Sequence, residues 1–145
     1  MDNLKIDDVA KACGLTKRSI RYYEEIGLIP PPERSEGGIR IYTRGHIERL
    51  RQIINARDVL GFSLQEILEF VSVRESLDEQ KEKYWKTEEA EAKLAQLRDI
   101  EATVGKQLEM VEQKLAKMLE FRAEMERIQK RVTEGIARLT QEKES

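Results

Sequence analysis

One cysteine, one histidine and one tryptophan are all that 145 residues provide, and no proline follows Pro32. A lone Cys13 excludes an internal disulfide and any cysteine-only metal site within one chain. Its place on an apolar side next to a turn favours the role of a small buried hydrophobe. His46 has no second histidine or further cysteine to join it, so a packing or surface role is expected and no metal site. There is also no nucleophile motif and no phosphate loop. The chain is therefore expected not to be an enzyme and to need no cofactor. No apolar run approaches ~20 residues and the first residues lack a signal-peptide pattern, so a soluble cytoplasmic protein without a membrane partner is expected. Aromatics are only 6% of the chain against 37% charged residues, a balance low in core-forming groups and typical of much solvated helix.

What is present is unevenly spread. The formal net charge is −2, which by itself suggests no nucleic acid. Residues 1–60 nevertheless hold 11 Lys and Arg against 9 Asp and Glu, whereas residues 61–145 hold 15 against 19. A length of 145 residues fits one globular domain with an extension, or two small units.

The stretch LKIDDVAKAC over 4–13 places Ile6, Val9, Ala10 and Cys13 at helical spacing, with Asp7 as the expected cap. Gly14 ends this helix and Thr16 caps the next one two residues later. Two short helices joined by a tight, glycine-containing turn are the helix-turn-helix pattern. The second helix carries Lys17, Arg18, Arg21, Tyr22 and Tyr23 within two turns and closes at Gly27. Such a short, basic, aromatic helix suits a DNA groove better than a core. Pro30, Pro31 and Pro32 force an extended path. The segment ERSEGGIRIY over 33–42 then reads as a β-hairpin turning on the pair Gly37–Gly38, with Arg34 and Arg40 on either side and Tyr42 following. Beside a basic helix-turn-helix, that hairpin is a wing.

A third helix is expected over 43–59, capped by Thr43, with Ile47, Leu50, Ile53, Ile54 and Val59 as its buried stripe. After Gly61, Ser63-Leu64-Gln65-Glu66 forms a capping box with Phe62 and Ile67 as hydrophobic staple, starting a fourth helix that turns Ile67, Leu68, Phe70 and Val71 inward. A further capping-box pattern, Ser76-Leu77-Asp78-Glu79, precedes a hydrophilic stretch with Tyr84 and Trp85. From Leu94 a heptad sets in. Leu97, Val104, Val111, Met118, Met125, Val132 and Leu139 recur every seven residues. Leu94, Leu108, Leu115 and Ile136 fill the companion position, which Glu101, Arg122 and Gln129 interrupt. Near Met118 the stripe shifts toward Phe121 and Ile128, a three-residue step of the stammer kind. Gly105 and Gly135 weaken the helix without stopping it. If continuous over 88–140 it would be roughly 80 Å long, and one so polar needs a partner helix. The step at Met118 leaves a second option, in which residues 120–142 fold back as a separate helix.

The run GLTKRSIRYYEEIGLIPPPERSEGGIRIY over 14–42, followed by a helix ending in LGFSLQEI, resembles the N-terminal domain of MerR-family transcription regulators. The resemblance covers residues 4 to about 73 and rests on the IRYYEEIGLI block, the wing arginine with its nearby tyrosine, and GFSL in order and spacing. It implies a mainly α fold: a four-helix winged helix-turn-helix head with a small hairpin wing over 1–75, then a linker and long antiparallel coiled-coil dimerisation helix over 76–145, broken or not near 118–122. It implies a homodimer seamed by Leu94, Leu97, Val104, Leu108, Val111, Leu115 and Met118. It further implies binding to palindromic double-stranded promoter DNA, in many members with DNA distortion that realigns a badly spaced promoter for RNA polymerase.

Within that frame Arg18 and Arg21 are expected to reach base edges or phosphates in the major groove, with Ser19 small enough to allow close approach. Thr16 and Lys17 lie at the same helix start. Tyr22 and Tyr23 offer hydroxyls to phosphates. One of the pair is expected to pack into the head, and by analogy with the family Tyr23 is the phosphate contact. Arg34, Arg40 and Tyr42 match family positions on the backbone or minor groove. The effector is not legible. Metal-sensing members carry cysteines where this chain reads EQKEKYWKTEE and KMLEFRAEMERI, and aldehyde- and nitrosative-stress members carry one where it reads INARDVLG. A small-molecule effector is left open. Tyr84 and Trp85 are expected to dock the head onto the dimer helix, or else to wall a small apolar pocket. The alternative function is a coiled-coil DNA-organising or scaffold protein with a head of this type, acting at the nucleoid. Target genes and the choice between activation and repression are not legible either.

Overall fold

A computed structural model describes residues 3–144. Five helices and one hairpin follow in the order α1 (Ile6–Cys13), α2 (Lys17–Glu25), β1 (Glu33–Arg34), β2 (Arg40–Ile41), α3 (Arg44–Asp58), α4 (Leu64–Trp85) and α5 (Ala90–Glu144). The chain divides into two compact units, one up to Gln107 and one from Leu108 on.

In the first unit α1 packs on α2 and α3, and α3 packs on α4. The core between them is small. Val9, Ile20, Leu28, Ile29, Tyr42, Leu50 and Ile53 are enclosed almost completely. Burying a side chain of this size contributes about 1.5–3 kcal/mol.

The helix starts differ in how well their sequence announced them. At α1 the cap is Lys5, not Asp7: the Lys5 amide donates to Asp8 Oδ2 at 2.9 Å, and Asp7 reaches outward to Lys17 at 2.6 Å. At α2 the Ser19 amide donates to Thr16 Oγ1 at 3.1 Å, as the cap pattern required. At α4 both halves of the capping box form: Ser63 N–H reaches Glu66 Oε1 at 2.9 Å and Glu66 N–H reaches Ser63 Oγ at 3.3 Å.

α2 ends in a Schellman motif. Gly27 adopts φ +80°, its amide donates to Glu24 O at 3.1 Å, and the Leu28 amide donates to Tyr23 O at 2.9 Å. That turn drives Leu28 and Ile29 straight into the core.

The hairpin pairs Glu33 with Ile41 and Arg34 with Arg40. Its loop has three residues, not two. Ser35 N–H bonds Ile39 O at 2.9 Å, Gly38 N–H bonds Ser35 O at 2.9 Å, and Gly38 supplies φ +79°. This is the turn-plus-left-handed-residue form of hairpin, with the first glycine merely tolerated. Leu4 and Tyr42 exchange backbone hydrogen bonds of 3.0 and 2.8 Å, which ties the wing to the start of the chain.

On α3 the inner face is His46, Leu50, Ile53 and Ala56, while Ile47 and Ile54 are half-buried. Val59, expected inside, is 68% exposed. It keeps helical backbone, its amide donating to Asn55 O at 2.9 Å, and the 3.6-residue period turns it away from the face of His46, Leu50 and Ile53. The Ser76 pattern does not start a helix. α4 runs through it, Leu77 is buried, and the Ser76 hydroxyl donates to Ser72 O at 3.3 Å. A capping box needs an extended residue at the cap, and the buried face of Val71, Val73 and Leu77 holds this stretch helical. The break falls at Lys86–Glu89 instead. Thr87 closes it there, its amide donating to Tyr84 O and its hydroxyl to Lys83 O.

α5 continues without interruption through Met118, so the separate helix over 120–142 does not form. Gly105 and Gly135 sit inside it. None of its residues is buried.

Candidate nucleic-acid interface

α2 divides its residues by face. Ile20 and Tyr23, three apart, point into the core. Thr16, Lys17, Arg18, Arg21 and Tyr22 point outward, with Ser19 half-buried between them. Arg18 and Arg21 form no ion pair within the described residues, so both guanidiniums remain available for phosphate or base edges. Lys17 is held by Asp7, and the same bond holds the Asp7 carboxyl below its ordinary value. Both partners are half exposed, so solvent screens the pair and a phosphate can replace Asp7.

Tyr22 and Tyr23 separate cleanly. Tyr22 is 46% exposed and Tyr23 8%. The Tyr23 hydroxyl accepts a 2.8 Å hydrogen bond from Arg57 Nη1, whose Nε also binds Asp58. Its ring is a core element, and Tyr22 is the tyrosine with an open path to a ligand.

The wing is fastened to α2. Arg40 Nε donates to Glu24 Oε2 at 3.1 Å, and the Tyr42 hydroxyl donates to the same oxygen at 3.4 Å. Tyr42 is completely enclosed, its ring standing edge-on to His46 at 5.3 Å. The Tyr42 side chain, named from the family resemblance as a wing contact, thus lies inside the head with its hydroxyl on Glu24. Its enclosure follows from the Leu4 bridge and the packing of α3 behind it. Burial, then the neighbouring Glu24 charge, push its hydroxyl above the ordinary tyrosine value. Arg34 is exposed and folds back on its own hairpin, Nη1 reaching Gly38 O at 2.9 Å.

His46 has a structural part to play. The Thr43 amide donates to Nδ1 at 3.1 Å, so the proton sits on Nε2, which donates to Pro30 O at 3.0 Å. One imidazole thus caps α3 and pins the end of the extended proline segment.

Three residues of this arrangement were not legible in the sequence: Glu24, Arg57 and His46 in its hold on Pro30. Their partners lie 16, 34 and 16 positions away, beyond any local pattern.

On α5 Leu94, Leu97, Val104, Leu108, Leu115 and Met118 are all 43–59% exposed, and Val111 is half-buried. Within the first unit a second face of α5 is occupied. Gln107 Nε2 donates to Phe70 O at 3.3 Å, Gln96 Nε2 to Thr87 Oγ1 at 2.9 Å, and the Lys93 ammonium lies 5.4 Å above the Tyr84 ring. The apolar stripe is left outward. Trp85, expected to dock the head onto the dimer helix, is 80% exposed in the single chain.

The family model of the MerR helix-turn-helix regulatory proteins matches residues 4–72. The HTH-type transcriptional regulator YfmP of Bacillus subtilis (strain 168) is 40% identical over 126 residues, spanning 87% of this chain and 90% of that protein. The HTH-type transcriptional regulator CueR of Salmonella typhi is 42% identical over 102 residues, spanning 67% and 73%. Among solved structures, the transcription regulator PbrR691 from Ralstonia metallidurans CH34 in complex with lead(II) is 24% identical, with a TM-score of 0.47 over 82% of this chain and 85% of that one. A basic recognition helix, a wing fastened beside it, and a relative matched along nearly its whole length lead to one conclusion: the chain belongs to the MerR family of DNA-binding transcriptional regulators.

Proposed function

We propose that the chain acts in the cytoplasm as a homodimer on a palindromic promoter element, and switches transcription by distorting the DNA between its two half-sites. The observation that carries this is the unburied stripe Leu94, Leu97, Val104, Leu108, Val111, Leu115 and Met118 on a helix with no buried residue. A polar helix of 55 residues is not stable through local propensity alone, and a self-complementary seam supplies its partner. In the antiparallel dimer each recognition helix meets one major groove. Arg18 and Arg21 approach bases or phosphates, Thr16, Lys17, Ser19 and Tyr22 line the phosphates beside them, and Arg34 and Arg40 reach the backbone from the wing. Tyr23 and Tyr42 act from behind, one setting the α2 surface and the other the wing.

Two heads on a rigid spacer select half-sites at a fixed distance, of the order of a ~10.5 base-pair helical turn. Where that distance is shorter than in relaxed DNA, binding bends and untwists the centre. Smooth bending costs on the order of 1–6 kcal/mol, offset by the phosphate contacts. Distortion of this kind brings promoter elements with an overlong spacer into register for RNA polymerase. The signal that sets the switch, a small molecule or otherwise, acts through the α4–α5 junction. The test is to map the operator by footprinting and probe it chemically with protein bound. A discrete palindrome inside a promoter spacer, hyper-reactive at its centre, is the expected result. An undistorted centre would leave simple repression, and broad coating of DNA without a discrete site would mean a scaffold.

A further inference from the structure

Phe121, at 63% exposure, lies just past the seam and to one side of its line. Up to Met118 the apolar residues alternate steps of four and three. At Met118 two three-residue steps follow in succession, from Leu115 to Met118 to Phe121, while Met118, Met125, Val132 and Leu139 keep the seven-residue repeat. The extra short step sets Phe121 to one side of the line that Leu108 and Leu115 follow.

The other unexplained apolar group is Trp85, 80% exposed at the end of α4, with its ring 5.3 Å from that of Tyr84. The Lys93 ammonium over Tyr84 fixes where this aromatic pair stands beside its own α5: level with that helix's first turns. The seam Leu94–Met118 has its midpoint at Lys106. In an antiparallel pair of α5 helices centred there, position 93 of one copy comes level with 119 of the other, and position 90 with 122.

We infer that Phe121 of one copy packs against Tyr84 and Trp85 of the second, forming two symmetric aromatic contacts at the ends of the dimer seam. The inference rests on the antiparallel dimer proposed above. It accounts for both exposed groups at once, since each is apolar, each lies outside the seam, and the register brings them to the same level. Charge agrees with it. Arg122 comes level with the turn holding Glu88, Glu89 and Glu91, while its own ion pair with Glu126 is long (3.6 Å) and solvated. A contact here ties the α4–α5 junction of each head to the partner's helix, so movement of one head is felt along the other chain.

Trp85 is the chain's single tryptophan, so its fluorescence reports this site alone. The full chain is compared with Phe121→Ala and with Val111→Glu, each by sedimentation, emission maximum and acrylamide quenching. Expected is a dimeric parent with blue-shifted, shielded emission, a dimeric Phe121→Ala with red-shifted emission and several-fold greater quenching, and a monomeric Val111→Glu with exposed emission. A dimeric parent whose emission is already that of a solvated indole, or is unmoved by Phe121→Ala, overturns the contact and leaves the dimer standing. Shielding that survives in monomeric Val111→Glu places the contact within one chain and overturns the inference too. A monomeric parent overturns the dimer and the contact together.

Discussion

Replacing Glu24 tests whether the wing is held to the recognition helix or merely lies beside it. One carboxylate oxygen accepts from Arg40 Nε and from the Tyr42 hydroxyl. The side chains of Glu24 and Arg40 are 16% and 31% exposed, between a surface pair and a buried one. A hydrogen bond to a charged group nets about 1.5–3 kcal/mol, and an exposed ion pair about 0.2–1 kcal/mol, so the Arg40 contact is placed near 1 kcal/mol. Glu24→Ala removes it and also strands the enclosed Tyr42 hydroxyl, which adds on the order of 1–3 kcal/mol. The expected loss is therefore about 2–4 kcal/mol. Glu24→Gln keeps an acceptor and should lose only about 1 kcal/mol, the difference between charged and neutral bonds. Urea unfolding at fixed protein concentration reads the stability, because dimerisation makes it concentration-dependent. Amide exchange at Ser35 and Tyr42, which bond across the hairpin and to Leu4, reads the wing itself. A cycle of Glu24→Ala, Arg40→Ala and the double variant should show coupling near 1 kcal/mol. Additivity within ~0.3 kcal/mol would refute the clamp. The consequence for DNA follows. Glu24→Ala should weaken binding to all sequences without changing the salt slope, since no cation is lost, whereas Arg34→Ala should lower that slope by about 1.

Other perturbations probe other parts of the chain. Arg21→Ala should cost about 1–3 kcal/mol at the cognate operator and relax the base preference there, read by competition binding against single-position operator variants. Unchanged discrimination would make Arg21 a phosphate contact only. Gly27→Ala places a Cβ in open space, so the φ of +80° alone sets its effect. About 1–2 kcal/mol should be lost, seen as a lower urea midpoint at unchanged slope. Tyr42 carries a pKa raised above 10.0 by burial and by Glu24. Folding thus favours its protonated form. That stabilisation is complete below the unfolded value near 10 and is lost as pH rises through the folded value. Tyr42→Phe should be less stable than the parent at neutral pH, and the gap should narrow above pH ~10 in unfolding experiments run against pH. A constant gap would mean that folding does not shift the titration of the hydroxyl.

Local chemistry settled much of this protein from its sequence. Thr16 and Ser63 had their capping partners three residues away, Gly27 stood at the position where only a left-handed residue closes α2, and the heptad from Leu94 repeats within one helix. Each of these signals is read inside a few turns of chain. The basic outer face of α2 follows in the same way from the spacing of Lys17, Arg18 and Arg21 against Ile20 and Tyr23. Tertiary structure decided what depends on distant partners. Tyr23 and Tyr42 read alike as phosphate donors, yet Arg57 and Glu24 claim their hydroxyls and the core closes over their rings. Ser76 reads like a helix start, but Leu77 and Val73 belong to a face already committed to the core, so α4 runs on to Trp85. Lys5 displaced Asp7 as a cap because Asp8 could reach its amide while Asp7 had Lys17 to bind. The reason is common to all three. A pattern in sequence fixes which hydrogen bonds and faces a segment can offer, and only the packing of distant segments decides which of those offers is taken.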